Sequence, residues 1–78
     1  MITIIDGKEV NFTHYLRDDG RKVHEYFFPN IFSEKEVYDN VNYLHIHCYH
    51  VKKVEMDTCA DGTTVRFIFR RKRQKRHA

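Results

Sequence analysis

The chain has 78 residues, of which 14 are Lys or Arg and 11 are Asp or Glu, with a hydrophobic fraction of 41% and no Trp. A chain of this size buries only about 60–65% of the surface its unfolded form exposes, which leaves one domain and no room for a large enclosed active site. One Pro and three Gly exclude a linker-like or disordered chain, and no apolar run approaches the roughly 18 residues that cross a bilayer.

The opening "MITIIDGKEV" lacks the charged and long apolar regions of a secretion signal, and two cysteines, Cys48 and Cys59, make no disulfide framework. A reducing cytoplasm is the expected compartment. All three glycines follow aspartate, at Asp6-Gly7, Asp19-Gly20 and Asp61-Gly62. Asp-Gly favours the type I′ hairpin turn, because both central residues take positive φ, which Gly adopts freely and Asp tolerates. At the first turn a two-residue loop sets Ile4 against Glu9. One extra loop residue restores Ile4 opposite Val10 and Ile2 opposite Phe12, and that pairing is the expectation. At the second, a two-residue loop opposes Leu16 with Val23, His14 with Glu25 and Phe12 with Phe27, and sends Thr13, Tyr15, His24 and Tyr26 to the other side. These segments form a three-stranded meander.

The strongest local signal follows, in "FSEKEV". Ser33 is a good N-cap, Glu36 three residues on completes a capping box, and Phe32 with Val37 occupies the positions of a hydrophobic staple. Val37, Val41 and Leu44 continue at helical spacing, and Pro29 helps end the preceding strand. The last hairpin, turning at Asp61-Gly62, opposes Thr58 with Val65, Met56 with Phe67 and Val54 with Phe69 on an apolar side. Asp57 with Arg66, Glu55 with Ile68 and Lys53 with Arg70 fall on a mostly charged side. The expected fold is α+β, a small antiparallel sheet in βββ-α-ββ order with one short helix packed on one face. Residues 1–69 form the compact domain and residues 70–78 a basic C-terminal tail.

"LHIHCYH", Leu44 to His50, gathers three histidines and a cysteine and raises the question of zinc. Extending the last hairpin backwards from Met56 as a strand places Leu44, Ile46, Cys48 and His50 on the core side and Tyr43, His45, His47 and Tyr49 on the other. His45 and His47 can then share an ion that Cys48 cannot reach, and Cys59 lies about 36 Å along the strand at 3.3 Å per residue. No Cys-x-x-Cys or His-x-x-x-His pair supports a tetrahedral set, so no metal and no cofactor are expected. Tyr43, His45, His47 and Tyr49 read instead as a face for contact with a partner. Catalysis is not expected either. His14 opposite Glu25 resembles a base with its orienting carboxylate, but no nucleophile stands beside it, and no phosphate loop or paired-carboxylate motif occurs.

The charge is segregated. "RRKRQKR" at Arg70 to Arg76 holds six of the 14 Lys and Arg, leaving eight against all 11 acidic residues in a body of net −3. Clustered Arg and Lys bind phosphate backbones through counterion release. The expected function is that of a non-enzymatic binding module associating with nucleic acid or a nucleoprotein complex through Arg66, Arg70, Arg71, Lys72, Arg73, Lys75 and Arg76. The alternative is a protein-binding inhibitor or adaptor, such as a small phage-encoded modulator of a host protein, working through the Tyr/His face or the acidic helix of Glu34, Glu36 and Asp39. No membrane contact is expected, and an exposed sheet edge gives a route to a homodimer.

Overall fold

The computed structural model describes residues 1–48 and 50–71. Five strands, β1 (Ile2–Ile5), β2 (Lys8–Leu16), β3 (Lys22–Pro29), β4 (Val51–Cys59) and β5 (Gly62–Phe69), form one antiparallel sheet in the order β1-β2-β3-β5-β4, with helix α1 (Glu34–His47) between β3 and β4. The βββ-α-ββ α+β architecture is thus as expected. No helix among the described residues is long and apolar enough to cross a membrane.

Helix α1 starts where its capping signals stand. The Ser33 hydroxyl accepts from the Glu36 N–H at 3.1 Å and the Glu36 carboxylate accepts from the Ser33 N–H at 2.8 Å, so two otherwise orphaned donors are satisfied reciprocally. Phe32 and Val37, the staple pair, are both buried. From there Val37, Val41 and the half-buried Leu44 turn one stripe of the helix onto Val10, Phe28, Val65 and Phe67 of the sheet. Lys8 clamps the helix from outside, since its ammonium meets Glu36 at 2.8 Å and lies 4.8 Å from the centre of the Phe32 ring.

These bonds hold the Glu36 carboxyl down at about 2, chiefly through the Lys8 hydrogen bond and then the Ser33 bonds. A carboxyl whose folded value is depressed adds stability above its unfolded value near 4.5, and that contribution is lost as pH falls through the folded value. Replacing Glu36 by Gln, which keeps a capping oxygen and removes the charge, should therefore lower the midpoint of thermal unfolding at pH 7. The gap between the two proteins should close between about pH 4.5 and pH 2; a constant gap across that range would show that the ion pair contributes nothing.

Each hairpin corrects a detail of the expected pairing. Asp6 (φ 51°) and Gly7 (φ 73°) form the two-residue turn itself, so Ile4 does face Glu9, Thr3 faces Val10, and Ile2 and Ile4 stay exposed. Turn geometry prevailed over apolar matching on this short strand. The second turn has three loop residues, Asp18, Asp19 and Gly20. The Arg17 N–H donates to the Arg21 carbonyl, and Gly20 takes the left-handed conformation at φ 82°. That slips the register by one, opposes Phe12 with Tyr26 and His14 with His24, and reverses the faces assigned to β3. His14 and Glu25 therefore lie on opposite faces, which removes the base-and-carboxylate pair. In the third hairpin the loop is Ala60-Asp61, a two-residue shift that preserves every face: Met56 meets Val65 and Val54 meets Phe67.

Candidate nucleic-acid interface

The sheet face that packs against α1 is covered at one end only. In β2 the face runs from Val10, which is buried, through half-buried Phe12 to exposed His14 and Leu16. In β3 it runs from buried Phe28 through half-buried Tyr26 and His24 to exposed Lys22, and in β5 from buried Val65 and Phe67 to half-buried Phe69. All three strands lose cover in the same direction, toward the β2–β3 turn and the end of β5. A helix of 14 residues spans only about 21 Å and leaves that corner open.

A continuous row of flat side chains lies there. The His24 ring stands 4.7 Å from Phe69 and 5.4 Å, edge-on, from Phe12; Phe12 in turn is 4.8 Å from Tyr26 and 6.0 Å from His14. Burial, then the nearby charge of Lys22 and of His14, pushes the His24 imidazole below its usual value, which favours the neutral ring. Burial also raises the Tyr26 phenol. Beside the row opens a cleft of about 720 Å³ lined by Leu16, Gly20, Lys22, His50, Phe69, Arg70 and Arg71. Phe69 belongs to both.

The rim of the cleft is cationic. The Arg71 guanidinium donates to the Asp19 carbonyl at 2.7 Å, tying the end of β5 to the β2–β3 turn, and the Arg70 N–H donates to the His50 carbonyl at 2.7 Å. Asp19 organises the turn, with its carboxylate accepting from the Arg21 N–H at 3.0 Å and standing near the guanidiniums of Arg17 (3.9 Å) and Arg21 (3.5 Å). That backbone bond, followed by the charges of Arg17, Arg21 and Arg71, holds the Asp19 carboxyl below the ordinary range.

The other expected basic residue on the body is placed differently. Arg66 lies on the opposite face of the sheet, where it donates to Glu25 at 2.9 Å and to Asp57 at 2.6 Å, and these two carboxylates keep it firmly protonated. Its charge is already met, while Arg70 and Arg71 stand at the cleft. Lys72, Arg73, Lys75 and Arg76 lie outside the described residues. A second, smaller cleft of about 300 Å³ sits at the far end against the start of α1, lined among others by Phe28, Asn30, Tyr38, Met56 and Thr58.

The proposed Tyr/His strand face is overturned. Leu44 to His47 belong to α1, which continues to His47 and closes with the Cys48 N–H on the His45 carbonyl. The chain then reverses at His50 (φ 71°) before β4 begins at Val51. On a helix Tyr43 and His47, four residues apart, come together with ring centres 4.4 Å apart. His45 is turned roughly 200° from Tyr43 at 3.6 residues per turn, so the three share no face. Tyr49 lies outside the described residues. Among the described residues no three His, Cys, Asp or Glu side chains gather as a metal site, and Cys48 and Cys59 are unbonded. Cys48 is half-buried, less enclosed than its expected core position.

No family model, curated protein or solved structure matches the chain.

The aromatic row escaped sequence reasoning because it is assembled from β2, β3 and β5. The slip of one residue at the Asp19-Gly20 turn separated Phe12 from His24 and Tyr26, and the β3–β5 pairing is non-local. A signal was nevertheless present: Phe12, His14 and Leu16, and likewise Lys22, His24 and Tyr26, recur at the spacing of two that puts each set on one side of a strand.

Proposed function

We propose that the protein is a non-enzymatic binding module that engages nucleic acid through the basic run beginning at Arg70 and Arg71 and continuing through Lys72, Arg73, Lys75 and Arg76. The observation that carries this reading is the convergence of charge at one end of the fold. The β2–β3 turn brings Arg17, Arg21 and Lys22 beside the point where the basic run begins, against only Asp18 and Asp19. Acidic side chains instead crowd the helix start and the Asp6 and Asp61 turns, so the molecule presents a cationic end to a polyanion. Arg66 adds least to this surface, because Glu25 and Asp57 already neutralise it.

Association of this kind is dominated by counterion release, so affinity for any oligonucleotide should fall linearly on a log–log plot against salt. Fluorescence anisotropy with a labelled oligonucleotide between 50 and 200 mM salt tests this directly. Affinity that does not change with salt would refute it.

A second reading, contact with a protein partner, rests on the outward side of α1, where Tyr43 and Ile46 are 61% and 75% exposed. Isolated exposed apolar residues are common, so charge segregation carries more weight. Capture of a nuclease-resistant partner that survives loss of the basic run but is lost in a Tyr43→Ala, Ile46→Ala double variant would favour this alternative.

A further inference from the structure

Building on nucleic-acid binding at this end of the fold, we infer that the preferred ligand is single-stranded, with unpaired bases stacking on the open row of Phe12, His24 and Phe69 while phosphates follow Lys22, Arg70 and Arg71.

The basic run by itself does not distinguish strands, since clustered cations meet the phosphates of a duplex as readily as those of a single strand. The folded surface does distinguish them. A base has a flat π-face that can lie on an aromatic ring only when it is out of its own stack, so a row of half-exposed rings is useful to an unpaired strand and useless to an intact duplex. Here the rings sit on three adjacent strands, held by the sheet, and their centres step from Phe12 to His24 to Phe69 at 5.4 and 4.7 Å. Their planes are inclined by 89° and 59°, so each ring offers a separate contact to a base rather than one continuous platform.

The charge stands where such a ligand needs it. Phe69 ends the row and also lines the cleft with Lys22, Arg70 and Arg71, so a base resting on Phe69 has cations within the same cavity for its phosphates. At about 720 Å³ the cleft falls within the roughly 300–1,000 Å³ range of small-molecule sites. Leu16, 73% exposed on the cleft wall, adds apolar surface beside the row. Phe12 and His24 are far in sequence from Arg70 and Arg71, and the β2–β3 and β3–β5 pairings bring them to one end of the sheet. The competing use for such a corner is simple incomplete coverage by a short helix. Incomplete coverage accounts for exposure without accounting for three cations gathered around the exposed rings.

The small cleft at the other end is lined by Phe28, Phe32 and Tyr38 but by no Lys or Arg, and of those three rings only Tyr38 is exposed. The start of α1 beside it is already capped by Ser33 and Glu36, and the acidic Glu34 lines it.

The test compares the full chain binding a 12-nucleotide mixed-sequence single strand and the duplex of the same sequence, by anisotropy at one fixed salt concentration. Single-strand binding should be at least about tenfold tighter, and Phe69→Leu and Phe12→Leu should each weaken it roughly 5- to 100-fold, the range expected for losing one base–aromatic stack, with duplex affinity unchanged. Because Phe69 also packs against the core, thermal melts check that each variant is folded. Photo-crosslinking of 5-iodouridine-substituted single strand to the unmodified protein gives an independent readout, with adducts expected at Phe12, His24 or Phe69. Equal affinity for both forms, or adducts confined to the basic run, would overturn the inference while leaving nucleic-acid binding intact. No salt-dependent binding of either form would overturn the underlying reading and this inference together.

Discussion

Replacing Gly62 by Ala should cost roughly 3–5 kcal/mol and remove a large part of the domain's stability. Gly62 opens β5, is buried, and pairs with Cys59 on one side and Pro29 on the other at φ 154°. A Cβ placed there runs into the carbonyl oxygen of Phe28, the Phe27 ring and the Pro29 Cα, the last two at 2.9 Å. Two of those obstacles are backbone of β3, the strand at the centre of the sheet. They cannot yield without disturbing the β2–β3 and β3–β5 ladders together, and the Asn30 N–H bonded to the Asp61 carbonyl pins the adjoining loop. Backbone strain and overpacking each cost of order 1–3 kcal/mol, while a domain of this size has a total stability of only about 0.05–0.15 kcal/mol per residue. Gly20→Ala is the internal control. Gly20 also has positive φ, but nothing lies within 4 Å of its added Cβ, so that change should cost only about 1 kcal/mol. Thermal melts followed by circular dichroism read both. A Gly62→Ala protein melting within a few degrees of the Gly20→Ala protein would mean that β5 does not approach β3 so closely.

The same glycine shows which parts of the fold could be read from the sequence. Element order was legible, because it depends on signals within a few residues of each other: the Ser33–Glu36 box, the Phe32–Val37 staple, and alternation on each side of a turn. Register was not, because Asp-Gly does a different job at each occurrence. Asp6-Gly7 is the whole turn, Gly20 closes a three-residue loop, and Gly62 is already part of a strand, where it permits close approach of a neighbour that is remote in sequence. A shift of two residues left the third hairpin with its faces correct, whereas a shift of one reversed β3.

The end of α1 was misread for a related reason. "LHIHCYH" alternates well enough for a strand, yet Leu44 to His47 belong to a helix that is capped at Ser33 and buried through Val37 and Val41. Tertiary burial of that stripe, continued by Leu44, outweighs a local alternation of His, Ile and Tyr. Of the candidate site, the basic run was plain from composition. The aromatic row beside it depended on the β2–β3 register and on the β3–β5 pairing, neither of which a turn signal specifies.

Removing residues 72–78 should lower oligonucleotide affinity by roughly 10²- to 10³-fold at 100 mM salt and flatten the salt dependence. The truncation deletes Lys72, Arg73, Lys75 and Arg76 but keeps the Arg70 bond to His50 and the Arg71 bond to Asp19, so the fold should melt unchanged. Four fewer phosphate contacts should reduce the log–log salt slope by about 2.8 for a single strand and about 3.6 for a duplex. A second variant separates the basic run from the folded body. Arg17→Gln, Arg21→Gln and Lys22→Gln together leave the run intact and remove cations from the β2–β3 turn, at the cost of ion pairs to Asp19 that are long, at 3.9 and 3.5 Å, and partly exposed, and so weak. If the fold contributes to the site, this triple variant should itself lose up to about 2.1 in slope for a single strand and about 2.7 for a duplex. If the basic run acts alone, the triple variant should match the wild type, and the convergence of charge around the cleft would have no part in binding. The size of that second loss therefore decides whether the basic residues form a tethered polycation or the rim of a surface that the sheet holds in place.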